Sequence, residues 1–304
     1  MSKILCIYHG NCDDGFAAAW TLRAALGSQH VEFYPGVYQQ EPPDVRGRDV
    51  VMVDFSYKKP VIERMSADAN SILILDHHKT AYDDLVGYPS PPLWCAWYGI
   101  AHDDVPLSKT LRTTAQFDME RCGATMAWDY FHGADRPEFL SYIEDRDLWR
   151  KALPDGDAFT MALRSYPQDF EVWDRLVKDG PYQLISEGKT ILRYYRLRIE
   201  ELKRHRYRAR FHPSDQRQAT DEGLICNAPY AFASEVAGEL AEESGTWGAC
   251  FFEVEAGKFQ YSLRSRGDYD VSAIALRFGG GGHKNAAGFA TWGRAHAADA
   301  KARE

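Results

Sequence analysis

Residues 4–20 read ILCIYHGNCDDGFAAAW. The apolar, β-favouring run at 3–8 (KILCIY) predicts a buried strand. Residues 14–27 predict a helix, with alanines, Trp20, Leu22 and Leu26 forming its apolar face. Between them stand His9, Asn11 and two adjacent aspartates, Asp13 and Asp14. An aspartate ahead of a helix is most often an N-cap. A histidine and two carboxylates at the mouth of a strand also suit a cation, which would offset their mutual repulsion.

Working outward, "VEFYP" at 31–35, "DVVMVDF" at 49–55 and "SILILD" at 71–76 read as further strands. "KPVIERMSADA" at 59–69 reads as a helix with Pro60 in its first turn. The alternation predicts an α/β domain, a parallel sheet with helices on both faces. Residues 80–112 read as loop with short strands, and helices are predicted at 119–131, 136–150, 167–178 and 181–208. The tail of the last is basic (Lys203, Arg204, His205, Arg206, Arg208, Arg210), which suggests a solvated linker helix or an attractor for anions. A linker is expected near 211–222, around His212-Pro213.

Beyond it the character changes. "GLICNAP", "GACFFEVEAG" and "KFQYSLRSR" are strand-like, with helices at 231–243 and 270–278, which predicts a smaller α+β domain. The expected division is 1–190, a helical linker at 191–214, and 215–304, with the two domains facing across a cleft.

The chain has 304 residues and a formal net charge of −8, which disfavours coating long duplexes by charge alone but permits short nucleotides in a local basic pocket. No run of about 18 apolar residues appears, so no membrane span is expected. The N-terminus enters a strand without a signal peptide, and six cysteines (6, 12, 95, 122, 226, 250) lie scattered without a Cys-x-x-Cys pair. Both features predict a cytoplasmic protein with reduced thiols.

Three predicted strands end in groups able to bind metal: His9 with Asp13 and Asp14, Asp54, and Asp76-His77-His78. In an open parallel sheet these ends share one edge, where ligands bind. Imidazole with several carboxylates suits Mn²⁺, Fe²⁺ or Zn²⁺ without any cysteine, and Asp54 is placed to bridge a pair of ions. Each strand end alone is explained by a cap or turn; the three together point to a metal centre. Glu144-Asp145-Arg146-Asp147 offers one more carboxylate.

These motifs resemble the DHH phosphoesterase superfamily. "HGNCDDG" is similar to its first motif, "VDF" at 53–55 to the second, Asp76-His77-His78 to the third and "DRDLW" at 145–149 to the fourth. "RCGAT" at 121–125 looks like the family's Ser-Gly-Ala helix start with Cys122 for Ser, and "GGGGHKNAAGF" at 279–289 after "SLRSR" at 262–266 resembles the DHH-associated domain. The resemblance implies two divalent ions, Mn²⁺ foremost. His9, Asp13 and Asp54 would hold one; Asp14, Asp54, His77 and Asp145 the other. Asp76 would orient a histidine, and His78 would lie at the scissile phosphate. Many relatives space the two first-motif aspartates by one residue; here they adjoin, and Asp14 before Gly15 fits better than Asp13. Asp145 is favoured over Asp147 because Trp149 follows it by four; Asp147 would cap or pair with an arginine, and Glu144 would lie on a solvated face.

In the second domain the glycine run, including Gly281 and Gly282, permits close backbone approach and an anion-binding nest. Arg264, Ser265, His283, Lys284 and Asn285 would supply donors to a phosphate or ribose. The expected function is a metal-dependent phosphodiesterase that hydrolyses short single-stranded RNA or DNA, or dinucleotides, to mononucleotides by a two-metal-activated hydroxide. The alternatives are a phosphomonoesterase acting on 3′-phosphoadenosine 5′-phosphate and a non-catalytic nucleotide-binding protein. The oligomeric state is left open, a homodimer among the options.

Overall fold

A computed structural model of the chain describes residues 3–38, 40–91, 113–133, 135–211 and 221–298. Cys95, most of the expected loop at 80–112 and the His212-Pro213 linker lie outside them. The chain divides into two compact units, residues 1–192 and 193–304.

In the first unit the strands are β1 (Ile4–His9), β2 (Val31–Gly36), β3 (Asp49–Val53), β4 (Ser71–Asp76) and β5 (Thr113–Phe117). All pair in parallel, in the order β2-β1-β3-β4-β5. The helices are α1 (Asp13–Leu26), α2 (Lys59–Asp68), α3 (Lys79–Leu85), α4 (Gly123–Phe131), α5 (Glu138–Asp147), α6 (Gly156–Leu163) and α7 (Phe170–Asp179), followed by α8 (Pro181–Lys203), which runs on into the second unit.

Alternation along the strands separates two cores. Cys6, Val51, Val53, Leu73 and Leu75 pack under α1, α4 and α5. Leu5, Ile7, Val50, Met52, Ile72 and Ile74 pack on Ile62 and Met65 of α2 and Leu85 of α3. A parallel sheet covered on both faces must be apolar throughout, and β4 is buried at every position. The doubly covered parallel sheet expected from the sequence is thus present.

The chain leaves β1 toward β2 on one side and returns to place β3 on the other. The order reverses between β1 and β3, and a crevice opens at their carboxyl ends. His9 ends β1 and Asp54 directly follows β3, so both stand at this point.

The second unit holds β6 (Tyr207–Phe211), β7 (Gly223–Asn227), α9 (Tyr230–Ser244), β8 (Trp247–Glu255), β9 (Lys258–Ser265), α10 (Ser272–Arg277), β10 (Gly281–His283), β11 (Ala286–Trp292) and β12 (His296–Ala298). Its sheet runs β10-β11-β9-β8-β7-β6-β12, antiparallel except for β7 with β8.

The basic tail read as helix is in part a strand. Ala209 and Phe211 are buried while Arg208 and Arg210 are exposed, the period of two that marks β structure. Three of its charges are matched: Lys203 meets Glu239 at 2.7 Å, Arg206 meets Glu243 at 2.6 Å and Arg208 meets Glu222 at 2.6 Å. Six more elements were not expected: β5, whose TTAQF is too polar to read as a strand, the short α3 and α6, and the strands β10, β11 and β12.

His296 ties this unit together. Its Nε2 lies 2.7 Å from the Tyr207 hydroxyl and its Nδ1 3.0 Å from that of Tyr261. Burial, with Arg294 nearby, lowers its pKa to about 4. The folded pKa lies below the ordinary His value of about 6.5, so this contribution is present above that value and is lost as pH falls toward 4. In chemical denaturation, the stability gap between the wild type and His296→Leu should therefore narrow between pH 7 and pH 4. A constant gap would contradict this assignment.

Candidate metal centre

The carboxyl edge of the parallel sheet gathers the chemistry. His77 is the hub: its Nε2 lies 3.0 Å from Asp54 Oδ1, 3.5 Å from Asp147 Oδ2 and 3.8 Å from Asp14 Oδ2. His9 Nδ1 lies 3.4 Å from Asp54 Oδ2. Three overlapping sets offer ligand atoms within 4.8 Å of one another: His9, Cys12 and Asp54; Asp54, His77 and His78; and Asp14, His77 and Asp147. Asp54 and His77 each belong to two sets, so the cluster has two lobes joined in the middle.

Local backbone explains why these side chains converge. Asp54 follows β3 with φ of 55°, a left-handed conformation costly for a residue with a Cβ, and its N–H donates to Leu75 O of the neighbouring strand. That twist turns the carboxylate into the crevice, where it is 1% exposed. Asp14 lies in the first turn of α1 and accepts the N–H groups of Gly123 at 2.6 Å and Ala124 at 2.9 Å, so it also caps α4. A Cβ on Gly123 would lie 2.3 Å from the Asp54 Cβ, and one on Gly15 would lie 2.2 Å from His9 O. Only glycine lets these segments approach so closely.

Asp76 sits behind the cluster, fully buried. It accepts from the Ser56 hydroxyl, from the N–H groups of His77 and His78 at 2.7 and 3.2 Å, and from His78 Nδ1 at 2.7 Å. This fixes the His78 ring and assigns the proton to Nδ1. Tyr38, half-exposed, packs edge-on to His9 at 5.3 Å between ring centres and against Phe55 at 4.9 Å. Nothing in the sequence pattern singled Tyr38 out, because it lies in a loop beyond β2.

Two expected ligands are not in the cluster. Asp13 turns away, and its carboxylate pairs with Arg164 at 2.7 Å. Neighbours on a helix point about 100° apart, so the start of α1 can aim Asp14 inward or Asp13, not both. Cys12, two residues before Asp14, occupies the place expected of Asp13.

Asp145 likewise yields to Asp147. Asp147 extends the inward stripe of α5 through Leu140 and Ile143, whereas Asp145 accepts the Ala152 N–H at 2.8 Å and closes the following turn. Helical register was the signal available for this choice. Glu144, expected on a solvated face, is buried: it accepts from Thr125 Oγ1 and from Cys122 N at 3.3 Å, and pairs with Arg150 at 2.8 Å. Buried Cys122 precedes α4 without side-chain capping, so Asp14 and Glu144 serve that helix end.

The electrostatics follow from burial. Burial opposes the His77 imidazolium, but Asp54, Asp14 and Asp147 outweigh it and raise its pKa to about 9. Burial and the charges of Asp54 and Asp147 push the Asp14 carboxyl well up. Burial would do the same to Asp54, but His77, His9 and His78 hold it below the usual carboxylate range. Burial, then Asp54 and Asp14, push the Cys12 thiol well up. Both carboxylate oxygens of Asp54 and Nδ1 of His9 are buried without a hydrogen-bond partner, although His77 Nε2 comes within 3.0 Å. A buried carboxylate faced by two imidazoles, with no hydrogen bond of full geometry, is a donor set that fits a divalent cation.

The residues expected to bind substrate lie in the second unit. Gly281, Gly282 and His283 form the edge strand β10, paired with β11 by Gly281 opposite Gly288, Gly282 opposite Ala287 and His283 opposite Ala286. The glycine run thus enters a hairpin in place of an open nest. Ser265 is buried and its hydroxyl donates to Tyr269 O at 2.7 Å, while Asn285 Nδ2 donates to Ser265 Oγ at 2.9 Å. Arg264 donates to Leu263 O at 2.8 Å and Ser234 Oγ at 2.9 Å, and Lys284 pairs with Asp268 at 2.8 Å on the surface.

Residues 228–302 match the family model of the DHHA1 domain. The chain is 28% identical over 309 residues to an uncharacterized protein of Acanthamoeba polyphaga mimivirus, covering 93% of this chain and 66% of that protein's length. In fold it is similar to the pGpG-specific phosphodiesterase PggH from Vibrio cholerae (TM-score 0.51, 10% identity, 95% of this chain and 94% of that one). RecJ from Thermus thermophilus, solved in complex with Mn²⁺, aligns with a TM-score of 0.48 at 14% identity over 95% of this chain and 50% of its own. The expected DHH-associated domain is thus matched at residues 228–302, and the fold of the chain is similar to that of PggH.

A metal ion bound at this centre would displace the proton that Asp54, Asp14 and Asp147 favour on His77, whose pKa they raise to about 9. Affinity for Mn²⁺ should rise with pH between about 7 and 9, by about tenfold per unit for each proton released. Titration calorimetry in buffers of different ionisation enthalpy should show at least one proton released per site filled at pH 7; none released would contradict the role of His77.

Proposed function

We propose that the chain is a divalent-metal-dependent phosphodiesterase that hydrolyses short oligonucleotides or dinucleotides to mononucleotides. The observation that carries this is Asp54, a buried carboxylate set between two lobes of imidazole and carboxylate ligands, with His77 Nε2 3.0 Å from one oxygen and His9 Nδ1 3.4 Å from the other. Metal ions held there would supply charge to neutralise the developing phosphoryl oxyanion and to activate the attacking water. His77, Asp54, Asp14 and Asp147 would hold one ion, and His9 with Asp54 the other.

The protein's own groups do the rest. Asp76 holds His78 by Nδ1, leaving Nε2 to donate to a non-bridging phosphate oxygen. Burial opposes the charged ring of His78, but Asp76 outweighs it and raises the pKa, which favours the proton needed for such a bond. Tyr38 beside His9 offers an aromatic surface on which a base can stack. The net charge of −8 and the matched charges at 203–208 favour a short substrate over a long polyanion.

An assay with Mn²⁺ or Zn²⁺ should cover RNA and DNA of two to ten nucleotides, linear and cyclic dinucleotides including pGpG, and 3′-phosphoadenosine 5′-phosphate. Mononucleotides should be released fastest from the shortest linear substrates. Asp54→Ala, still folded, should lose at least about 100-fold in kcat/KM, roughly 2.7 kcal/mol of transition-state stabilisation. A loss below tenfold would remove Asp54 from the centre. Faster turnover of 3′-phosphoadenosine 5′-phosphate would make the enzyme a phosphomonoesterase.

A further inference from the structure

We propose that Cys12 is a metal ligand, joining His9 and Asp54 in a sulfur-containing lobe that selects Zn²⁺ over Mn²⁺. The inference deepens the reading of the cluster as a metal centre and rests on it. Ligand atoms of His9, Cys12 and Asp54 lie within 4.8 Å of one another. The burial of this set aims it at a cation. Asp54 is 1% exposed, its Oδ2 and His9 Nδ1 face each other at 3.4 Å, and neither atom makes a hydrogen bond of full geometry.

The backbone keeps the thiol available. Cys12 is the N-cap of α1 in extended conformation (φ −121°, ψ 138°), yet its side chain makes no capping hydrogen bond. A serine or aspartate there would ordinarily accept a helix N–H. The backbone is fixed on both sides: Asn11 takes a left-handed turn at φ 58°, and Cys12 O accepts from Phe16 N at 3.1 Å and Gln168 Nε2 at 3.1 Å. The three donors therefore come from one strand end, one helix start and the residue after a second strand, none of which can shift without disturbing the sheet.

Ligand softness sets the selectivity. Mn²⁺ and Mg²⁺ prefer oxygen, whereas thiolate with imidazole and one carboxylate suits Zn²⁺ or Co²⁺. Three protein ligands leave a fourth tetrahedral position open, as in catalytic zinc sites. The other lobe, Asp14, His77 and Asp147, has only oxygen and nitrogen donors. The centre is thus chemically asymmetric. On coordination the Cys12 S–H bond breaks, its electron pair forms the S–metal bond, and the proton leaves to buffer; no oxidant or reductant is involved.

Titration of the metal-free full-length protein with Co²⁺ tests this without reference to activity. The wild type should show d–d bands and a near-ultraviolet thiolate-to-Co²⁺ charge-transfer band, both abolished by excess Zn²⁺. Cys12→Ser should keep d–d bands and lose the charge-transfer band; Cys122→Ser should keep both. In competition assays Cys12→Asp should lower the Zn²⁺-over-Mn²⁺ affinity ratio by at least tenfold. Co²⁺ bound without charge transfer in the wild type, or charge transfer retained in Cys12→Ser, would overturn the role of Cys12 and leave the metal centre standing. No Co²⁺ bound at all would overturn both.

Discussion

The repulsion between buried carboxylates at one edge of the first sheet is the constraint on which the rest of the structure depends. Asp14 and Asp147 bring oxygens within 4.8 Å of each other, with Asp54 beside them and His77 among them. Two ionised carboxylates at that distance would repel by about 3 to 4 kcal/mol at an effective dielectric constant near 20, and burial together with that repulsion pushes the Asp14 carboxyl up. His77 and the N-terminus of α4 offset part of that repulsion, and the cluster is held together by a left-handed Asp54 and two glycines that admit no Cβ.

The surrounding architecture serves to hold that cluster in place. The order reversal at β1 and β3 opens the crevice, and the N-terminus of α4 neutralises part of Asp14. Asp76 is buried deeper and spends its whole hydrogen-bonding capacity on the His77–His78 corner and Ser56. Division of labour between neighbouring carboxylates follows from their partners. Asp76 is saturated and orients; Asp54 faces only imidazoles, His77 at 3.0 Å and His9 at 3.4 Å.

Much of this was legible in the sequence. Strand period, helix period and their alternation gave the parallel sheet, and three strands ending in Asp or His predicted the shared edge. What stayed illegible was angular. Adjacent Asp13 and Asp14 differ by one step of helix rotation, which sent Asp13 to Arg164 and left the inward place to Cys12. Asp145 and Asp147 differ by two steps, and only the register of Leu140 and Ile143 separates them. The basic stretch at 203–210 reads as helix by composition, yet alternating Arg208, Ala209, Arg210 and Phe211 make its end a strand. Buried Glu144 has charged and hydroxyl partners from two other segments, which no local pattern records.

The central claim is that Asp54 is a metal ligand shared between two lobes. Crystals grown with Mn²⁺ and Zn²⁺, measured at each metal's absorption edge, test it most directly. The account predicts anomalous density within about 2.0–2.3 Å of the Asp54 carboxylate oxygens, with His77 ligating on one side and His9 on the other. Density absent from that position, with Asp54 hydrogen-bonded to ordered water instead, would contradict it.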